Sequence, residues 1–291
     1  MTELSASPRL GALYPRALAS AVRPVLRRLP GVGGDGASMP QTELTLRGLE
    51  IDRDHLAAYA RVCGFRLRDE LPPTYPHVLA FPLSMRLMTD GDFPFPVMGL
   101  VHVANRIAQR APLRAEEALD LRVWAEAPEA HPRGTQFDVI AEASAGGEPR
   151  WRGASTYLRR EGGSGGGGRG ERDAEPPRPG AIWDLPGDLG RRYAAVSGDR
   201  NPIHLHPLSA RLFGMSRPIA HGMWLKARCL AALEGHLPDA HAVDVRFKLP
   251  VPLPGRVIFS SRVEEGQRVF EVRDEGGKPH LAGRVEPHSG G

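Results

Sequence analysis

Residues 161–180 read EGGSGGGGRGERDAEPPRPG, with no Leu, Ile, Val or aromatic residue among them. Such a stretch has nothing to bury, and it is expected to be a flexible linker. It leaves two segments of similar length in a chain of 291 residues, 41–160 and 181–291. Two units of matching size raise the question of an internal repeat.

The repeat is present. YARVCGF at Tyr59–Phe65 aligns with YAAVSGD at Tyr193–Asp199, 134 positions on. TYPHVLAFPLSMRLM at Thr74–Met88 aligns with SRPIAHGMWLKARCL at Ser216–Leu230, and VHVANRIAQRAPL at Val101–Leu113 with VDVRFKLPVPLPG at Val243–Gly255, both 142 positions on. The second unit therefore carries eight extra residues just after its YAAVSGD segment. Each unit opens with a helix-like lead-in, DRDHLAAYARVCG or DLGRRYAAVSG. An apolar helix comes next, clearest at Met223–Leu233, and then strands in which apolar residues alternate with polar ones, as Val243, Val245, Phe247 and Leu249 do. An antiparallel sheet wrapped around one apolar helix would bury that helix on most sides. Two such units side by side would join their sheets and remove edges.

Other features narrow the functional classes. There is no run of about 18 apolar residues, so no membrane span is expected. Of 38 basic residues only Lys226, Lys248 and Lys278 are lysine; the arginines are scattered rather than gathered in a stripe, and the net charge is +4, so nucleic acid is not the expected partner. Cys63 and Cys229 have no ligand spacing and suit a reducing compartment and inert packing. With no secretory signal and a composition like that of a GC-rich bacterium, the expected location is cytoplasmic. Residues 4–34 hold five arginines and no acid. A mitochondrial presequence reads the same way, but Pro24, Pro30 and GVGGDG interrupt the segment, and residues 1–40 are expected to be a disordered basic leader.

The chemistry concentrates in YAAVSGDRNPIHLHP, Tyr193–Pro207. Asp199, Asn201 and His204 fall within six residues; Gly198 permits a sharp turn and Pro202 stiffens the loop after it. Taken singly, Asp199 is a turn or cap residue and His204 a packed or surface histidine. Held together on one rigid segment, a carboxylate and an imidazole supply the base and the acid that water addition requires, while Asn201 orients a partner without titrating. Further on, RPIAHGMWLKA places Gly222 at the start of the apolar helix. The unpaired N–H groups there form an oxyanion hole for a thioester carbonyl, or else His221 and Gly222 are simply a helix-start turn. Asp199, His204, His206 and His221 could in principle bind zinc, but no HxxxH helix pattern or Cys ligand supports a metal. A nucleophile elbow and a phosphate loop are absent, and no cofactor is expected.

YAAVSGDRNPIHLHP, followed by RPIAHGMW and FKLPVPLPG, resembles the MaoC-like, (R)-specific enoyl-CoA hydratase (hydratase 2) family. The resemblance implies an α+β double hot-dog fold: a non-catalytic first unit at 41–160 and a catalytic unit at 181–291. It implies Asp199 and His204 as the catalytic pair, Asn201 as support and the Gly222 N–H as the oxyanion hole. His221, Met223, Arg217, Phe247 and Lys248 are the expected substrate contacts. The reaction implied is reversible hydration of a trans-2-enoyl thioester to an (R)-3-hydroxyacyl thioester, within fatty-acid metabolism, on coenzyme A or acyl carrier protein. Arg217, Arg246 and Lys248 would give the basic surface that either carrier suits. A fused double unit could act alone or pair into a homodimer.

The first unit departs from the motif. Phe65 stands in place of Asp199, Leu67 in place of Asn201, and Leu79-Ala80 in place of His221-Gly222. It is expected to serve as scaffold and acyl-chain wall, with its PPTYPHVLAFPL and FPFPVMG stretches lining an apolar slot. The alternatives are a hot-dog thioesterase, in which the acid directs water at the carbonyl, and a non-catalytic acyl-thioester-binding subunit.

Overall fold

Glycines set the ends of both lead-in helices. The computed structural model describes residues 1–27, 39–160 and 178–287, so residues 161–177 of the expected linker lie outside the described residues. In the first unit the helix α2 (Arg53–Cys63) is capped by Asp52, whose carboxylate accepts from the N–H groups of Asp54 and His55, and it ends on Gly64 with φ 84°. In the second unit the matching helix α4 (Leu189–Ser197) ends on Gly198 with φ 74°. Both are left-handed conformations in which a Cβ is strained, which accounts for the glycine in each copy of the YA-V-G repeat.

The remaining elements run in the same order in each unit. The first unit holds β2 (Leu44–Leu49), α2, α3 (Tyr75–Met88), β3 (Leu100–Gln109), β4 (Leu119–Ala125), a short β5 (Glu129–His131), β6 (Gly134–Ala145) and β7 (Glu148–Arg160). The second holds β8 (Ala181–Leu185), α4, a 3-10 turn (Pro202–His204), α5 (Pro207–Leu212), α6 (Gly222–Ala232), β9 (His241–Phe247), β10 (Gly255–Glu264), β11 (Gln267–Arg273) and β12 (Pro279–Pro287). Ahead of both lie β1 (Thr2–Leu4) and α1 (Leu10–Arg27). All the strands form one sheet in the order β1-β2-β4-β6-β7-β3-β9-β12-β11-β10-β8, with β5 added beside β6. From the centre outward, β3-β7-β6-β4-β2 mirrors β9-β12-β11-β10-β8. The two units meet at β3 and β9, which pair antiparallel with Ala104 opposite Arg246. Those two residues stand 142 positions apart, the offset of the sequence repeat, so a pseudo-two-fold axis passes through this pair.

The apolar helices lie against the inner face of the sheet. On α6, Met223, Trp224, Leu225, Ala227, Cys229, Leu230 and Ala231 are buried, as is Lys226 with no exposed surface. Lys226 Nζ donates to the Asn105 carbonyl (3.0 Å), to Asn105 Oδ1 (2.6 Å) and to the Val243 carbonyl (3.1 Å). It thereby ties α6 to both strands of the junction. Burial pulls the Lys226 ammonium well below the usual lysine range. Cys63 and Cys229 are free, buried thiols, and burial pushes Cys63 up to about 12. No helix among the described residues is long and apolar enough to cross a membrane.

Two expectations change. Residues 1–27 are not a disordered leader: β1 pairs parallel with β2, and α1 buries Leu13 and Ala17 against the core. Residues 28–38 lie outside the described residues. In the first unit, Leu79 and Ala80 do not stand at a helix start, because α3 begins at Tyr75 and places them a full turn inside. The eight extra residues of the second unit fall in the turn and α5 segment, for which the first unit has no helical counterpart.

Candidate active site

Asp199 comes directly after Gly198, so the end of α4 determines where its carboxylate lies. The Asp199 N–H donates to Ser197 Oγ (3.2 Å), and its own Oδ1 accepts from the Asn201 N–H (3.1 Å). Asn201 Oδ1 accepts from the Ile203 N–H (3.4 Å) and caps the 3-10 turn that carries His204. The three residues are thus joined by local hydrogen bonds, as their spacing and Pro202 suggest. His204 Nδ1 lies 2.7 Å from the Ile219 carbonyl. A carbonyl only accepts, so Nδ1 carries the proton and Nε2 keeps a lone pair. Burial holds His204 below the usual imidazole range, against the opposing pull of the Asp199 charge and the Ile219 carbonyl.

The helix-start segment comes to the same place. His221 Nε2 donates to the Asp199 backbone carbonyl (3.0 Å) and lies 3.9 Å from Asp199 Oδ2. Its ring stacks on His204 with centroids 3.7 Å apart, and its Nδ1 is buried without a hydrogen-bond partner. Burial, reinforced by His204, pushes His221 well below the ordinary histidine value. Both histidines are therefore neutral at pH 7. Asp199, His204 and His221 each offer one atom within 4.8 Å of the others, a grouping that a metal ion could also use. His206 stands outside it: it is exposed, and its Nδ1 accepts from the Leu208 N–H to cap α5.

Gly222 opens α6, where the first-turn N–H groups have no carbonyl within the helix. The glycine serves its neighbour as well. A Cβ at this position would meet Phe247 Cδ1 and Cε1 at 3.0 Å, so the absence of a side chain lets Phe247 pack over the helix start.

These residues face a cavity of about 300 Å³. Asp199, Asn201, His221, Gly222, Met223, Phe247 and Lys248 line it; His204 stands behind His221 rather than on the wall. The opposite wall comes from the first unit, with Val78, Phe81, Met85 and Met88 of α3 and with Val97 and Met98 from the FPFPVMG stretch. Two expected contacts fall elsewhere. Arg217 is exposed and donates to the Pro254 carbonyl (3.3 Å), away from the cavity. Arg246, expected to add to the basic surface, alternates with Phe247 along β9 and lines a groove on the other face of the sheet.

The sequence reading missed Tyr14. Its hydroxyl donates to the Gly198 carbonyl (2.7 Å) and accepts from the Arg200 N–H, so it grips the backbone on both sides of Asp199. Leu10 packs where a Gly198 side chain would stand, and Tyr14 and Ala17 line the cavity. The apolar positions 10, 13, 14 and 17 recur at helical spacing, a signal that the arginine count obscured. His77, His102 and Tyr157 of the first unit also line the cavity and were not anticipated.

Residues 171–282 match the family model described as a MaoC like domain. Over 258 residues the chain is 37% identical to 3-hydroxyacyl-thioester dehydratase X of Mycobacterium tuberculosis, covering 85% of this chain and 90% of that one. The crystal structure of that organism's HtdX superposes with a TM-score of 0.76 at 37% identity, covering 85% of this chain and 100% of that one. A MaoC-like dehydratase from Phytophthora capsici shares the fold at a TM-score of 0.69 and 19% identity, over 86% of this chain and 96% of the other.

Proposed function

The chain belongs to the MaoC-like dehydratase family, and from that membership we propose how its own residues divide the work. The fold is the double hot-dog, and the enzyme is a hydro-lyase that interconverts (R)-3-hydroxyacyl and trans-2-enoyl thioesters. The observation that carries the assignment of residues is the Asp199–His204–His221 cluster at the N-terminus of α6, with Asp199 and His221 on the wall of an apolar cavity and His204 behind them.

In dehydration, the thioester carbonyl accepts from the Gly222 N–H, which stabilises the enolate that forms when the α-proton leaves. Asp199 and His204 act as one unit, a neutral imidazole beside a carboxylate. The unit takes the α-proton and returns it to the departing hydroxyl. The Cα–H and Cβ–O bonds break, the Cα=Cβ bond forms, water leaves, and the pair ends as it began. Syn geometry places both leaving groups on one face, so a single acid–base unit serves both. Asp199 stabilises the transient imidazolium, and the Ile219 carbonyl keeps the reactive nitrogen at Nε2. A second reading assigns the proton transfers to His221, which lies on the wall with an unpartnered Nδ1.

We place the catalytic unit at 181–291 and read 41–160 as the wall that receives the acyl chain. Lys248 at the cavity rim suits the phosphopantetheine arm of either coenzyme A or acyl carrier protein. Both walls come from one chain, so a site requires no second copy, and a homodimer would carry two complete sites.

The test is loss of enoyl absorbance with crotonyl-CoA. Asp199→Asn and His204→Ala should each lower kcat roughly 10²- to 10⁴-fold. Native rates in both would sink the pair. Native activity in His204→Ala together with a dead His221→Ala would transfer the role to His221. Release of free thiol without hydration would mark a thioesterase, and elemental analysis of the pure protein reads any metal directly.

A further inference from the structure

An acyl-chain wall requires only apolar side chains, and most of this cavity is so lined. Besides the exposed Arg160 at the end of β7, three residues of the first unit break the pattern: His77 on α3, His102 on β3 and Tyr157 on β7. They are not remnants of a catalytic motif. At the 142 offset, the positions matching His221 and Gly222 are Leu79 and Ala80, while His77 matches Ile219 and His102 matches Asp244. The first unit has lost one polar set and carries another.

The three side chains form a cluster. His102 and Tyr157 are cross-strand partners with rings stacked at 4.8 Å and 23°, and His77 stacks on His102 at 6.3 Å and 21°. Phe247 meets the other side of His102 at 5.0 Å, edge to face. Since Phe247 also packs over Gly222, a single ring separates the cluster from the expected carbonyl anchor. Behind it, Ser155, two residues before Tyr157 on β7, accepts at Oγ from Asn105 Nδ2 (3.1 Å), and Asn105 Oδ1 accepts from Lys226 (2.6 Å). Strand pairing and the stack on His102 fix the Tyr157 ring beside this network.

His102 Nε2 is buried without a hydrogen-bond partner. An unsatisfied buried nitrogen carries a desolvation cost, and native proteins keep few of them. His102 lines the cavity, and its Nε2 lacks a hydrogen-bond partner among the described residues. Burial keeps both rings neutral, lowering His77 to about 4 and His102 to about 3.

We propose that His102, with Tyr157 and His77 beside it, is a specificity site for a hydroxyl group on the substrate's acyl chain, beyond the two carbons that react. A hydroxyl, which both donates and accepts, serves His102 Nε2 in either tautomer; a methylene does neither. The inference rests on the dehydratase reading and names a substrate class within it: 2-enoyl thioesters carrying a second, distal hydroxyl.

The experiment compares kcat/KM for trans-2-hexenoyl-CoA and trans-2-octenoyl-CoA with their ω- and (ω−1)-hydroxy counterparts. At least one hydroxylated substrate should be preferred by roughly tenfold or more, the worth of one well-made buried hydrogen bond. His102→Phe should bring that ratio close to one, and Tyr157→Phe, which keeps the ring, should lower it. A native ratio at or below one across the panel overturns the proposal, as does a ratio unmoved by His102→Phe in protein with native circular dichroism. If His102→Phe does not fold, Tyr157→Phe reads the same ratio, and no change there overturns it. Failure to hydrate any of the thioesters, plain or hydroxylated, sinks the dehydratase reading itself; hydration of all with equal efficiency sinks only the hydroxyl site.

Discussion

His204 gives one ring nitrogen to a backbone carbonyl, and this single contact fixes which nitrogen can do chemistry. Its neighbours share its condition: His77, His102, His204 and His221 are all held neutral by burial. The consequence for stability has a definite sign. The unfolded chain protonates these rings as pH falls through about 6.5, while the folded protein refuses the proton until about 4 at His77 and about 3 at His102. The unfolded state therefore binds more protons in that window, and stability falls with pH by up to about 1.4 kcal/mol per unit per histidine. A Tm series from pH 7 to pH 4 should decline steadily, and His102→Phe should flatten it. A native slope in that variant would mean His102 protonates in the fold. Asp199, Asn201 and His204 could be found in the sequence because one turn contains everything that joins them. His102 could not: its partners Tyr157 and Phe247 are far along the chain, and only strand register brings them together.

At the scale of elements, the lead-in helices were readable because a glycine ends each in the same way. Helix α1 was not, since its meaning lies in what it touches. Tyr14 is 184 residues from Gly198, yet its hydroxyl bonds the backbone on both sides of Asp199. Burial raises that phenol, and the nearby Asp199 charge raises it further, so it stays protonated and keeps donating to Gly198. We expect Tyr14 to act as a positioning residue. Tyr14→Phe keeps the ring and removes two hydrogen bonds, each worth about 1 kcal/mol, so kcat should fall by about tenfold or more. KM should move much less, because the cavity wall keeps its shape. A fall in Tm with native kcat would reduce Tyr14 to packing alone.

At the scale of the molecule, the pseudo-two-fold axis through Ala104 and Arg246 lets two units with different cavity residues hold equivalent places in one sheet. The β3–β9 ladder and the Lys226 contacts to Asn105 and Val243 depend on backbone and on the junction, not on catalytic residues. The first unit is still needed, because α3 closes the cavity and β3 covers the edge of β9. The same geometry has two testable outcomes. A protease site placed within 161–177 and cut after folding should leave one particle on gel filtration with its hydratase activity intact, since the covalent connection is not what joins the units. Residues 178–287 expressed alone should be inactive and prone to associate, with β9 exposed as an unpaired edge and half the cavity wall missing. An isolated second unit that is monomeric and fully active would show that the first unit is dispensable, and would break the argument that its helix forms the wall for the acyl chain.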